Sequence, residues 1–322
     1  MKRVLITGVS GFIGSHLAKE LCEKGYEVYG VLKFSTSRDI KALSPFLKDV
    51  IVLTCDIGDY SSVNNTLKSI DPDVVIHLAA LSPVRDSFEK PLSYVKINID
   101  GTLNIAHSML TMPDFDKKKL IYASTAEVYG IQRTSPIKED APLNPSSPYS
   151  TTKAMTDQYL RMMSSVYGLN TTVMRCTNTY GRKLDASFYI EYLITTMLTG
   201  EKIYIGAPNS IRDYMYVTDH VNAYVKAIEN YNIKGEAFNA SVMEGITNRE
   251  IAYKIADILG YDKRNIILGK YPLNYPLRPL VSDQPFILLD NNKIKDKFGW
   301  KPTVFLEKGI NITIDYWKEK IK

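Results

Sequence analysis

Arg3-Val4-Leu5-Ile6-Thr7-Gly8-Val9-Ser10-Gly11-Phe12-Ile13-Gly14 decides how the rest of the chain is arranged. A short β-rich apolar run, Arg3 to Thr7, enters a turn with glycines at 8, 11 and 14, and an amphipathic helix carrying Leu17, Leu21 and Cys22 follows. Glycines permit a tight turn and a close backbone approach, and the N–H groups at the helix start can receive a pyrophosphate on the positive end of the dipole. The spacing is GxxGxxG, not GxGxxG. Three glycines alone are weak evidence; between a strand and a helix they point to a dinucleotide, with Gly8, Gly11, Phe12, Ile13 and Gly14 around it.

The alternation continues downstream. A second strand, Glu27 to Leu32, ends where an acidic residue about 20 positions past the glycines would hold a ribose hydroxyl. Here the chain reads Lys33-Phe34-Ser35-Thr36-Ser37-Arg38. A cation and hydroxyls suit a 2′-phosphate, which favours NADP over NAD; the plainer alternative leaves Lys33 in solvent. Strand three, Val50 to Thr54, closes on Cys55-Asp56-Ile57, and strand four, Val74 to His77, opens onto Leu78-Ala79-Ala80, where small residues let a cofactor lie against the backbone. His77 has no partner carboxylate or second histidine, so it reads as a packed strand residue, and no metal is expected. A helical segment after Pro91 carries Tyr94, Ile97, Leu103 and Ile105, with Asn98 on its polar side.

A fifth strand, Lys119 to Ala123, delivers Ser124-Thr125-Ala126-Glu127 to a carboxyl end, where open α/β sheets bind ligands. In Pro148-Tyr149-Ser150-Thr151-Thr152-Lys153 a phenol and an ammonium lie four residues apart at the start of a helical pattern and share a face. A phenol titrates near ~10, but an adjacent cation stabilises the phenolate, so Tyr149 is expected to be lowered by Lys153 and to serve as a general base. A lone Tyr-x-x-x-Lys is common by chance, and a surface pair on an ordinary helix is the alternative; the surrounding motifs give it weight.

At 322 residues the chain is long for one domain, so a large core with a smaller lobe is expected: a dinucleotide domain over 1–175, and 176–322 mainly a substrate lobe with some segments returning to the sheet. A net charge of +5 is dispersed apart from Lys117-Lys118-Lys119, which reads as a solvated loop, and no basic stripe with interleaved aromatics argues for nucleic acid. Cys22, Cys55 and Cys176 have no metal-ligand spacing, so a reducing cytoplasmic setting is expected. Met1-Lys2-Arg3 passes straight into the first strand, which leaves no room for a signal peptide, and no apolar run approaches the ~18 residues of a membrane span.

Taken together, Gly8/Gly11/Gly14, Asp56-Ile57, His77-Leu78-Ala79-Ala80, Ser124-Thr125 with Val128-Tyr129-Gly130, and Tyr149-x-x-x-Lys153 resemble the extended short-chain dehydrogenase/reductases that modify nucleotide sugars. Asn178-Thr179-Tyr180-Gly181, Arg212 to His220 and Phe298-Gly299-Trp300-Lys301-Pro302 extend the resemblance over nearly the whole chain. It implies an α/β, Rossmann-type doubly wound parallel sheet with a smaller C-terminal substrate-binding lobe. It also implies NAD or NADP as cofactor, held additionally by Lys33, Asp56, Ile57, Leu78, Ala79, Ala80, Asn98, Ser124, Tyr149, Lys153 and Cys176. A nucleotide-diphosphate sugar would meet Ser82, Arg85, Thr125, Asn178, Arg212 and Arg278, and subunits would pair as a homodimer through the helices carrying Asn98 and Tyr149.

The implied first step is hydride transfer from sugar C4, with Tyr149 taking the hydroxyl proton, Thr125 aligning that oxygen and Lys153 holding the nicotinamide ribose. Ala126-Glu127 governs the fate of the resulting 4-keto sugar. Family epimerases carry a small residue at the first position, whereas 4,6-dehydratases carry an acid or hydroxyl there and Glu at the second, to remove water across C5 and C6. This chain is a hybrid. Ser82 to Pro91 with Lys33 resembles the GDP-mannose 4,6-dehydratase branch; Asn178 to Gly181 is nearer to enzymes of UDP- and dTDP-sugars. Alanine cannot protonate a leaving hydroxyl, so the reading is a UDP-sugar 4-epimerase. A 4,6-dehydratase of GDP-mannose or dTDP/UDP type with Glu127 as base is the alternative, with a reductase, a decarboxylase or a non-catalytic NAD(P)-binding regulator behind it.

Overall fold

The computed structural model describes residues 2–33, 49–183, 185–272, 279 and 282–321. Strands β1 (Arg3–Thr7), β2 (Glu27–Leu32), β3 (Ile51–Thr54), β4 (Val74–His77), β5 (Lys119–Thr125) and β6 (Asn170–Cys176) follow one another with helices between them. After β7 (Asn178–Tyr180), β8 (Ile203–Ile205) and β9 (Ile211–Tyr216), strand β10 (Glu236–Ala240) returns to the same sheet. Its order is β3-β2-β1-β4-β5-β6-β10, and every pairing is parallel.

Both faces of that sheet are covered, and the sequence alternates accordingly. Val4 and Ile6 of β1 join Leu17 and Leu21 of the helix Phe12–Glu23 in one core. Leu5 between them joins Val75, Leu120, Tyr122, Val63, Leu67, Ile105 and Leu160 in the other. The chain winds from β1 outward to β3 and then crosses back to β4, so the direction reverses between β1 and β4. Their carboxyl ends, Thr7 paired with His77, open a crevice at that switch point.

The smaller part is built on β9, which pairs in parallel with β7 and with β13 (Phe286–Ile287) and antiparallel with β11 (Gly245–Thr247), while β12 (Ile266–Leu268) pairs with β8. One core runs through both parts: Tyr214, Met215, Ile251 and Trp300 belong to the cluster of Val4 and Leu17. Trp300 Nε1 donates to the Asp219 carbonyl at 3.1 Å, and the Asp219 carboxylate accepts from the Thr303 and Val304 N–H groups at 2.9 and 2.8 Å.

Asn98 departs from its expected place. Between the helical turns Pro91–Tyr94 and Gly101–Leu110 the chain is π-helical, Val95–Asp100. The wider turn rotates the register, and Asn98 faces inward, buried. Among the described residues no helix is long and apolar enough to cross a membrane, and no group of His, Cys, Asp and Glu could hold a metal.

Candidate active site

The glycine turn is shaped by contacts that leave no room for a side chain. Gly8 has φ +72°, and a Cβ there would lie 2.8 Å from Ala79 N; a Cβ on Gly14 would lie 2.2 Å from the Gly8 carbonyl oxygen. Gly11 N–H donates to that carbonyl at 2.9 Å, and Gly11 caps the helix Phe12–Glu23, whose first turn holds no acidic residue and no side-chain cap. Its amino end is thereby left for an outside acceptor.

His77 locks this turn to the neighbouring helix. Thr102 Oγ1 donates to the Asn98 carbonyl at 2.6 Å, so it accepts from His77 Nε2–H at 3.0 Å. Nδ1 is then the acceptor for Thr7 Oγ1–H at 2.7 Å, and Thr7 Oγ1 in turn accepts the Ala79 N–H at 3.2 Å. Burial pushes the imidazole down to about 3, so it stays neutral. Its place in this chain is that of a packed strand residue.

The helix Pro148–Tyr167 begins cleanly because Ser147 accepts Ser150 N–H at 3.0 Å in a capping box and Pro148 occupies the first turn. It carries Tyr149 and Lys153 toward the end of β5. Lys153 Nζ donates to the Ala123 carbonyl at 2.7 Å and lies 4.8 Å from the Tyr122 ring centroid. Tyr149 lines the cleft beside Thr125 and packs edge-on against Tyr94, 6.4 Å between ring centroids.

The expected lowering of Tyr149 is corrected. Desolvation, reinforced by the Glu127 carboxylate, raises its phenol above the ordinary range, and the neighbouring Thr125 opposes this. Lys153 suffers the same desolvation, which pushes its ammonium down to about 7. A cation that is itself depleted and turned toward a carbonyl is a poor source of field for the phenol.

Two cavities meet here. A cleft of about 490 Å³ is walled by Gly8, Gly11, Phe12, Ile13, Gly14, Leu78, Ala80, Ser82, Ser124, Thr125, Ala126, Tyr149, Lys153 and Cys176, and from the far side by Arg182, Phe188, His220 and Tyr224. A second, of about 350 Å³, is lined by Arg85, Arg212, Asp283 and a group of tyrosines, 189, 192, 204, 214 and 271. Glu127 and Asn178 line both. Tyr189 and Tyr214 stack with centroids 6.4 Å apart and anchor their hydroxyls on Asn248, at 2.6 Å to its carbonyl and 3.1 Å to Oδ1. Arg85 lies 4.9 Å over the Tyr271 ring, and Arg212 Nη2 is 3.2 Å from Asp283 Oδ1. Aromatic faces beside guanidinium groups suit a base and its phosphates.

Other expected residues serve differently. Asn98 Oδ1 accepts the Leu81 N–H at 2.8 Å, and its Nδ2 donates to the Leu81 carbonyl at 3.0 Å and to Thr152 Oγ1 at 3.1 Å, which ties the loop after β4 to the helix of Tyr149. Ala79 packs on Gly8. Asp56 Oδ1 accepts Gly58 N–H at 3.0 Å while Oδ2 lies 3.0 Å from Lys33 Nζ, and Ile57 is buried against Gly101. The Cys176 thiol is pushed up to about 12 by burial, which the nearby Tyr224 opposes. Arg278 and Phe34 to Arg38 lie outside the described residues.

Asp157 and Arg175 escaped the sequence reading. Arg175 Nε and Nη2 meet the two Asp157 oxygens at 2.8 and 3.0 Å, and Ser124 Oγ donates to Asp157 Oδ2 at 3.2 Å. The signal was present: Tyr149, Lys153 and Asp157 repeat every four residues on one helix face.

A family profile described as GDP-mannose 4,6 dehydratase matches residues 5–313. A dTDP-glucose 4,6-dehydratase of Xanthomonas campestris pv. campestris (strain B100) is 30% identical over 327 residues, which are 97% of this chain and 92% of that protein. The solved UDP-glucose 4-epimerase of Thermotoga maritima, bound to UDP-glucose, superposes with a TM-score of 0.87 at 30% identity, covering 99% of this chain and 100% of that one. A UDP-glucose 4-epimerase of Thermus thermophilus, solved in complex with NAD, gives 0.83 at 28% identity and covers 98% of this chain and 99% of that one.

Proposed function

Because the chain belongs to the GDP-mannose 4,6 dehydratase family of nucleotide-sugar short-chain dehydrogenase/reductases, we propose that it is an NAD(P)-dependent 4-epimerase of UDP-hexoses. Ala126 carries this reading: it lines the cleft between Thr125 and Glu127 and has no proton to give a departing hydroxyl. A nicotinamide dinucleotide held along the glycine turn by Gly8, Gly11 and Gly14 would supply the hydride acceptor and donor for sugar C4. Tyr149 takes the C4-hydroxyl proton and gives it back, while the Thr125 hydroxyl, which lines the same cleft, aligns the same oxygen. Lys153 fixes the nicotinamide ribose. Arg85, Arg212, Asn178, Ser82 and Arg278 hold the nucleotide diphosphate and sugar, and the aromatic walls of the second cavity receive the base.

The cofactor is NAD or NADP. Lys33, the cation that favours a 2′-phosphate, is paired with Asp56, so the phosphate would compete with a carboxylate 3.0 Å away; the Thermus relative is solved with NAD. Free thiols at Cys22, Cys55 and Cys176 support a reducing, cytoplasmic setting. Leu92, Met155 and Val166 are 81%, 53% and 67% exposed on the helices after Pro91 and Pro148, which supports a homodimer through that face. Light scattering at micromolar concentration is expected to give twice the 36.4 kDa chain mass; a single-chain mass contradicts the pairing.

The 4,6-dehydratase alternative draws on Glu127, which stands where the two cavities meet. The variant Glu127→Gln separates the readings. Epimerisation keeps its rate within about tenfold, whereas loss of a general base for elimination lowers turnover by roughly 10²–10⁴. The larger loss would sink the epimerase reading.

A further inference from the structure

We propose that Arg182 binds the diphosphate of the dinucleotide, reaching across the cleft from the loop after β7 to the start of the first helix. The inference rests on the cofactor reading above. The guanidinium lies over two rings, with its carbon 4.5 Å from the centroid of Phe12, the first residue of that helix, and 3.3 Å from that of Phe188. All three side chains line the larger cleft with Gly11, and Arg85 and Arg212 line the second cavity instead.

The loop is built to present it. The buried Glu191 carboxylate accepts the Gly181 and Arg182 N–H groups at 2.8 and 2.9 Å, and Gly181 turns at φ +99° against the Tyr216 ring. The Glu191 and Asp185 carboxylates act on this cation's charge, yet its N–H donors are not all met within the protein. Its Nε is buried without a hydrogen-bond partner, and the Asp185 carboxylate lies 3.8 Å from Nη1, beyond hydrogen-bond length. A guanidinium offers five N–H donors in a plane, and contact with ring faces uses none of them, which leaves donors for a bidentate acceptor. Facing it is a helix start with neither an acidic residue nor a side-chain cap. An anion with several oxygens satisfies both, and a diphosphate seated on the glycine turn is such an anion.

Isothermal titration of wild type, Arg182→Ala and Arg182→Lys with ADP-ribose, adenosine and UDP tests this directly. Arg182→Ala is expected to weaken ADP-ribose at least about tenfold, with adenosine and UDP changed by less than about twofold. Arg182→Lys, which keeps the charge but not the plane, is expected to fall between. Unchanged ADP-ribose affinity in both variants overturns the proposal. An equal loss for adenosine also overturns it, since the residue would then only support the loop, and a loss confined to UDP assigns Arg182 to the substrate's diphosphate instead. Wild type that fails to bind ADP-ribose defeats the cofactor reading together with this inference.

Discussion

Lys153 is costly to the fold, and the proposed mechanism needs it. Its ammonium is buried, directed at the Ala123 carbonyl, and depressed from 10.5 to about 7. Between those two values the unfolded chain binds the proton more readily than the folded one, so the lysine makes stability rise with pH across that window; at and below pH 7 its destabilisation is complete. Lys153→Met is therefore expected to melt about 5 °C or more above wild type near pH 7, with the gap closing toward pH 10, and to lose hydride transfer. A melting temperature at or below wild type at pH 7 would contradict this. The shared face of Tyr149 and Lys153 was legible from their spacing, and Thr125 from its place at the end of an apolar strand, with the surrounding motifs giving both weight. The direction of the Tyr149 shift was not, because desolvation depends on what the rest of the chain packs around the phenol.

The helix Pro148–Tyr167 works as an element because its other end of the same face is tied down. Asp157 joins it to β6 through Arg175, whose Nη1 also donates to the Tyr129 hydroxyl at 2.8 Å and to the Glu139 carbonyl at 3.0 Å. Tyr129 then donates to Asn239 Oδ1 in β10 at 2.7 Å. Removing the carboxylate leaves a buried guanidinium without its counter-charge, so Asp157→Ala is expected to cost about 3–5 kcal/mol, read from the urea midpoint. A cost below about 1 kcal/mol would show that the network does not hold the helix in place. Four-residue periodicity made this helix legible. The same rule failed at Asn98, because a π-turn carries its own spacing and leaves no mark in an apolar pattern.

At the scale of the molecule, the parallel sheet could be read from strands alternating with helices, and the crevice followed from the glycine turn at its switch point. The second cavity could be read only in part. Arg85, Tyr189, Arg212 and Tyr271 come from four separated segments, and their convergence is a product of long-range packing that no local pattern encodes. Glu127 and Asn178 line both cavities, and on the proposed reading the sugar would lie there, with Ala126 lining the cleft beside it. The identity of the product therefore separates epimerisation from elimination. Purified protein incubated with UDP-, GDP- and dTDP-hexoses and NAD or NADP, followed by mass spectrometry and proton NMR, is predicted to give a UDP-hexose of unchanged mass with an inverted C4 signal. A product lighter by one water, with a C6 methyl doublet and a 4-keto hydrate, would contradict it and make Glu127 the base of an elimination.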